Sequence, residues 1–297
     1  MNVIWCFRSS DGTTMISDEL TRTVRRQLTT FVRHLRLAEA GTPRGVHQAR
    51  VASRRLRESL ATLDDVLPTP LARRARRVLR KIGRALGPVR ECDVTVKLLV
   101  RLADEHQWSA ATVDAVGCDL ARSRGAALQA SLRGRQAATW LKVAAQLRQA
   151  LRAPVPEQSA RAVATATRMR RRERGEALAG SLHVVSSVYV PDQLHAVRIA
   201  TKKLRYTLEW EHDITGRAWD RERRGLERSQ DQFGDWHDLV VLQERLDRLR
   251  RTRDHRKATV VELIRMTADL ERGCRAVHAA ILPRFSDLRR VAAKARR

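Results

Sequence analysis

Apolar residues recur along almost the whole chain at alternating spacings of three and four. That spacing gathers them on one side of an α-helix. In 46–63 the apolar side is Ala49, Ala52, Leu56, Leu60 and Leu63, and in 71–86 it is Leu71, Ala75, Val78, Ile82 and Leu86. The pattern predicts helices over 17–40, 46–66, 71–86, 92–106, 110–132, 137–152, 159–188, 193–214, 219–233, 238–250 and 260–281. Pro43, Pro68, Pro70, Pro154, Pro156, Pro191 and Pro283 fall at or near these boundaries, where a missing N–H costs least. The nearest approach to a strand is 183–190, HVVSSVYV, which could equally finish a helix. The predicted fold class is all-α. The clearest linker is APVPEQS at 153–159.

The polar sides of two helices carry the functional signal. On a wheel of 46–63, His47, Arg50, Arg54 and Arg57 fall within about 80° of one another, opposite the apolar side. They span roughly 15 Å along the axis at about 1.5 Å per residue. The segment 194–208, LHAVRIATKKLRYTL, repeats 46–60, VHQARVASRRLRESL, with His195, Arg198, Lys202 and Arg205 at the matching positions. A second pair of blocks, 76–94 and 223–241, aligns in the same order and matches Gly87 with Gly234. Two matched blocks in one order point to an internal duplication, hence to two antiparallel helical bundles related by a pseudo-twofold axis. The expected layout is an extension at 1–15, repeats at 16–152 and 153–290, and a basic tail at 291–297; Met15 is an alternative start. Arg73, Arg76, Arg77, Arg80 and Arg84 form a further basic face, weakly matched by Arg224 and Arg228 before the acidic Asp231.

Composition sharpens this picture. The chain of 297 residues carries a net charge of +26, with 43% hydrophobic residues. It can therefore build a core, yet its self-repulsion calls for a polyanionic partner. A basic stripe is often only a solvated helix face, and a histidine at a helix start is often only a cap. Here like charges stack one turn apart in both copies, at a cost of a few tenths of a kcal/mol per pair, and a bound anion accounts for that better. DNA, RNA, an anionic membrane surface and polyphosphate all satisfy the charge alone. Aromatic residues are 4% and Asn2 is the only asparagine, which disfavours base stacking and adenine readout but leaves phosphate-backbone contact with nucleic acid as the rival function.

Other chemistry has little support in the sequence. It contains no P-loop, GxSxG, HExxH or dinucleotide fingerprint. The acidic spots Glu91, Asp93, Asp235 and Asp238 suit helix starts. Cys6, Cys92, Cys118 and Cys274 lie far apart without metal-ligand spacing, so reduced thiols in the cytoplasm are expected, and no metal or cofactor. No apolar run reaches the roughly 18 residues of a membrane helix.

The two His-led blocks resemble the signature helices of CHAD domains, the conserved histidine α-helical domains. The blocks LGPVRECDV and FGDWHDLVV are similar to that family's Leu-Gly-x-x-Arg-Asp-x-Asp and Leu-Gly-x-x-Asn-Asp segments. The resemblance covers about 17–285. It implies two four-helix bundles, with a basic channel between them that binds inorganic polyphosphate, and association with polyphosphate granules. The ligand residues it implies are His47, Arg50, Arg54 and Arg57, with His195, Arg198, Lys202 and Arg205. Glu91, His237 and Phe233 depart from the family pattern, at positions that read as structural. The ExExK strand signature of the triphosphatase domain often fused to CHAD domains is absent from this sequence.

Overall fold

The structure is a computed structural model and describes residues 10–132, 135–251 and 257–297. These residues form eleven α-helices and no strand, which confirms the all-α expectation. In chain order they are α1 (Ser10–Glu39), α2 (Pro43–Ser59), α3 (Thr69–Ala85), α4 (Gly87–His106), α5 (Ala110–Leu132), α6 (Arg135–Ala150), α7 (Glu157–His183), α8 (Pro191–Thr215), α9 (Asp220–Arg250), α10 (Lys257–Ile281) and α11 (Arg284–Arg296). Of the expected N-terminal extension, residues 1–9 lie outside the described residues, whereas 10–15 already belong to α1.

Three expectations need correction. The break expected between 233 and 238 does not occur, and α9 runs through it. In the matching block, Pro88 has no N–H and α4 starts afresh at Gly87; Asp235 stands at that place in α9 and leaves the hydrogen-bond ladder intact. The expected tail at 291–297 is largely the second half of α11, whose Phe285, Leu288, Ala292 and Ala295 are buried. The run 184–190 is irregular, neither strand nor helix.

The chain divides into two compact units. The first takes the described residues of Met1–Gly83, Gly134–Arg174 and Leu204–Arg223; the second takes Arg84–Arg133, Gly175–Lys203 and those of Arg224–Arg297. In the first, α1 packs on α2 and α6 around Leu28, Phe31, Leu56 and Trp140, with the rings of Phe31 and Trp140 edge-on at 4.9 Å. Its core also encloses the ion pair Arg171–Glu211 at 3.1 Å, with side chains 1% and 2% exposed. The Arg171 guanidinium lies 5.2 Å from the Trp219 ring centre. In the second unit, α5 packs on α4 and α10. Val116, Leu120, Leu263 and Met266 are buried there, and the indole N–H of Trp108 donates to Asp269 at 2.8 Å.

A short turn aims the first basic stripe. Gly41 adopts φ 72°, a left-handed conformation that turns the chain out of α1. Thr42 then caps α2, its hydroxyl accepting from the Gly45 N–H at 3.1 Å, and Pro43 begins the helix. Gly45 lies so close to α1 that a Cβ there would sit 2.5 Å from the Leu37 backbone. This contact fixes the rotation of α2, and with it the side on which His47 emerges.

Candidate polyanion-binding site

In the first unit the α2 stripe is present as expected. Ala49, Ala52 and Leu56 are buried, while His47, Arg50, Arg54 and Arg57 are half-buried on the other side. Arg50 donates to the carbonyl of Gly83, which ties α2 to the last turn of α3. Further along α2, Glu58 gathers cations that the sequence reading overlooked. Arg170 bonds it through Nε, and through Nη2 at 3.2 Å, while Arg174 stands 3.5 Å away. The Thr207 hydroxyl also donates to Glu58, at 3.0 Å. Burial pushes the Glu58 carboxyl up, but Arg170, Arg174 and Thr207 outweigh it and hold the group below the usual carboxylate range. The run RMRRRERG in α7 was the available signal, but its helical phase alone does not reveal which arginines turn inward.

On α3, Arg73, Arg77, Arg80 and Arg84 are exposed, and Arg76 is half-buried 3.8 Å from Asp64. Ala72, Ala75, Leu79 and Ile82 form the buried side. Arg84 falls in the second unit.

Arg205 departs from the expected stripe. It belongs to the first unit, is only 9% exposed, bonds Glu209 at 2.6 Å and stacks over the Tyr206 ring at 4.9 Å. The cause is the environment of α8, where 204–208 are all buried, so the wheel position that faces outward at His195 is enclosed at Arg205, nearly three turns later at about 3.6 residues per turn. The charge is answered by Glu209, one turn on.

In the second unit His195 is exposed and Arg198 and Lys202 are half-buried on one side of α8. The structure adds residues from the two downstream motif blocks. The His237 ring of α9 stands 5.8 Å from that of His195. Asp238 lies within the electrostatic reach of Arg198, of Arg90 from α4 and of Lys202. Burial pushes the Asp238 carboxyl up, reinforced by Asp235, although the three cations pull the other way. Burial also lowers the His195 pKa, and Arg198 and Lys202 lower it further against the weaker pull of Asp192. The sequence reading assigned His237 to a structural position and gave Arg90 no role. They occupy matched positions of the two blocks, both cationic or potentially so, and that coincidence was the missed signal. Arg224 and Arg228 are exposed on α9.

The model of the CHAD domain family matches residues 22–247, about three quarters of the chain. The chain belongs to the CHAD domain family. No curated protein sequence matches it. Two solved structures share the CHAD chain's fold. PptA from Streptomyces chartreusis is 20% identical, with a TM-score of 0.67, covering 91% of this chain and 99% of that one. The CHAD domain from the plant Ricinus communis is 23% identical, with a TM-score of 0.60, covering 88% of this chain and 92% of that one. Among the described residues, no helix of this CHAD protein is long and apolar enough to cross a membrane.

Proposed function

We propose that this CHAD protein binds inorganic polyphosphate and does not chemically alter it. The proposed ligands are His47, Arg50, Arg54 and Arg57 in the first unit, with His195, Arg198, Lys202, Arg90 and His237 in the second. Exposed Arg73, Arg77, Arg80, Arg84, Arg224 and Arg228, with half-buried Arg76, supply the outer field. Arg205 contributes through Glu209 rather than by direct contact. The observation that carries this reading is the His195 cluster: the His195 and His237 rings of α8 and α9 stand 5.8 Å apart beside Arg198 and Lys202, and Arg90 of α4 shares with those two cations the electrostatic reach of Asp238. Such a cluster is relieved by an anion. The matched blocks support an origin of both stripes by duplication, with repeats at 16–152 and 153–290. Polyphosphate granules in the cytoplasm are the proposed location.

A long polyphosphate reaches both clusters along its own flexible length, so the second contact forms at high effective concentration. Long chains therefore bind more tightly than short ones, beyond the simple ratio of phosphate counts. The rival, nucleic acid, is disfavoured by the burial of every described tryptophan and phenylalanine, which leaves those rings unavailable for base stacking.

Two solution tests follow from the charges. Polyphosphate affinity falls by roughly 10³–10⁵ between about 50 and 200 mM salt, taking the counterion-release slope for 6–10 phosphate contacts. A flat salt response, measured by fluorescence anisotropy, contradicts a site built on backbone phosphates. Affinity also rises as pH falls from about 7.5 to 6. The sign follows from His195: its pKa is lowered in the free protein and raised by a bound polyanion, so binding takes up a proton. Changing His47, His195 and His237 to Gln removes the trend; its persistence assigns the proton elsewhere.

A further inference from the structure

The first unit contains a cavity of about 330 Å³. It lies on sides of α2 and α8 different from those that carry His47 and His195. On α2 it takes Gln48, Val51, Arg55 and Ser59, and on α8 it takes Tyr206, Glu209, Trp210 and Asp213. Arg26 of α1 and Arg223 of α9 complete its ionic lining. The volume stands at the lower end of the roughly 300–1,000 Å³ of small-molecule pockets. Tyr206 and Trp210 form a nearly inaccessible aromatic wall, at 7% and 2% exposure.

The charges in this cavity are unevenly matched. Glu209 is well partnered, by Arg55 at 2.9 Å and Arg205 at 2.6 Å. Among the described residues, the ion pair of Asp213 is a long one, to Arg26 at 3.5 Å. Arg223 likewise makes a long contact, to Asp220 at 3.6 Å. Burial raises the Asp213 carboxyl, with Arg26, His212 and Arg223 opposing and Glu209 reinforcing. A half-buried carboxylate whose nearest cation is held at arm's length gains from a donor brought within hydrogen-bond reach, and two loosely held guanidiniums gain from an oxyanion. The two needs sit in one cavity and have opposite sign.

We propose that this cavity is a second binding site, separate from the polyanion site, for a compact zwitterion in which an ammonium group is linked to a carboxylate or a phosphate. The ammonium bonds Asp213, the oxyanion bonds Arg26 and Arg223, and the short linker lies against Tyr206 and Trp210. The Arg55–Glu209 pair stays intact as the fixed edge of the pocket. A simple anion satisfies the arginines but leaves Asp213 facing added negative charge, and a simple amine leaves the arginines unanswered. The site therefore selects against both halves of its own ligand.

The test is calorimetric titration of the full-length protein with O-phosphoethanolamine and with β-alanine, beside ethanolamine and inorganic phosphate. The two zwitterions distinguish a phosphate from a carboxylate ligand. Expected is saturable binding of at least one zwitterion at one site per chain, with each half-ligand weaker by roughly tenfold or more. Asp213→Asn and Arg26→Gln each weaken it by a similar factor, while Arg198→Ala with Lys202→Ala leaves it unchanged. Circular dichroism of the variants confirms that the helices remain. The proposal is overturned if neither zwitterion saturates in the millimolar range. It is equally overturned if both Asp213→Asn and Arg26→Gln bind as the parent does, or if phosphate alone binds as tightly as the zwitterion. Polyphosphate binding by Asp213→Asn stays at the parental level, so failure here is distinguishable from failure of the polyphosphate reading.

Discussion

Changing Arg50, Arg54 and Arg57 together to Ala lowers polyphosphate affinity by about 4 kcal/mol, close to a thousandfold. Each charge-assisted hydrogen bond contributes roughly 1.5–3 kcal/mol, and solvent screening with non-additivity trims the sum. The stripe is half-buried, so its guanidiniums are partly fixed before the ligand arrives and lose less entropy than the exposed Arg73, Arg77 and Arg80. Removing those three exposed arginines costs less, mainly through the loss of long-range attraction, and its effect fades at higher salt. Arg55→Ala is the control within the same helix: its guanidinium is engaged by Glu209, and its loss leaves polyphosphate affinity nearly unchanged. The triple substitution also removes the bond from Arg50 to the Gly83 carbonyl, which costs about 1 kcal/mol of stability, too little to unfold the protein. Titration at matched folded fraction, checked by circular dichroism, separates the two effects. An undiminished affinity contradicts the assignment of α2.

Glu211→Ala destabilises the fold by about 3–5 kcal/mol, the cost of leaving a buried charge without its partner. Both members of the Arg171–Glu211 pair are essentially sealed from water, and burial already lowers the Arg171 pKa despite the carboxylate beside it. The expected fall in Tm is on the order of 10 °C. Breaking an exposed pair such as Arg275–Glu271, at 2.7 Å, lowers stability far less, because water screens both charges. Replacing both Arg171 and Glu211 by Met recovers part of the loss, because no charge is then stranded. A single Glu211→Ala variant as stable as the parent contradicts the burial of this pair.

The helices were legible because helix periodicity is local: α5 occupies 110–132 in the sequence reading and in the structure alike. What misled the reading were positions where one residue decides between continuation and interruption. Pro88 restarts a helix where Asp235 allows α9 to continue, though the two blocks otherwise align. The residues of α11 looked like a tail because Arg and Ala dominate, and four well-spaced apolar side chains suffice to bury it. The α2 stripe was legible for the same local reason, since its helix stays amphipathic throughout. Arg205 was not, because burial on all sides of α8 at 204–208 is a tertiary fact that no wheel contains. Arg90 and His237 required two further helices to be brought beside α8, and Arg170 and Arg174 required α7 beside Glu58.

On the proposed function, a folded array of arginine and histidine side chains prefers polyphosphate over other polyanions. The most direct measurement is equilibrium binding of polyphosphate and of duplex DNA at matched phosphate concentration and about 0.15 M salt, for the parent and for the variant lacking Arg50, Arg54 and Arg57. Expected is a markedly lower Kd for polyphosphate, and a preference that collapses in the variant. Equal or tighter binding of DNA, or a preference untouched by the three substitutions, would contradict it.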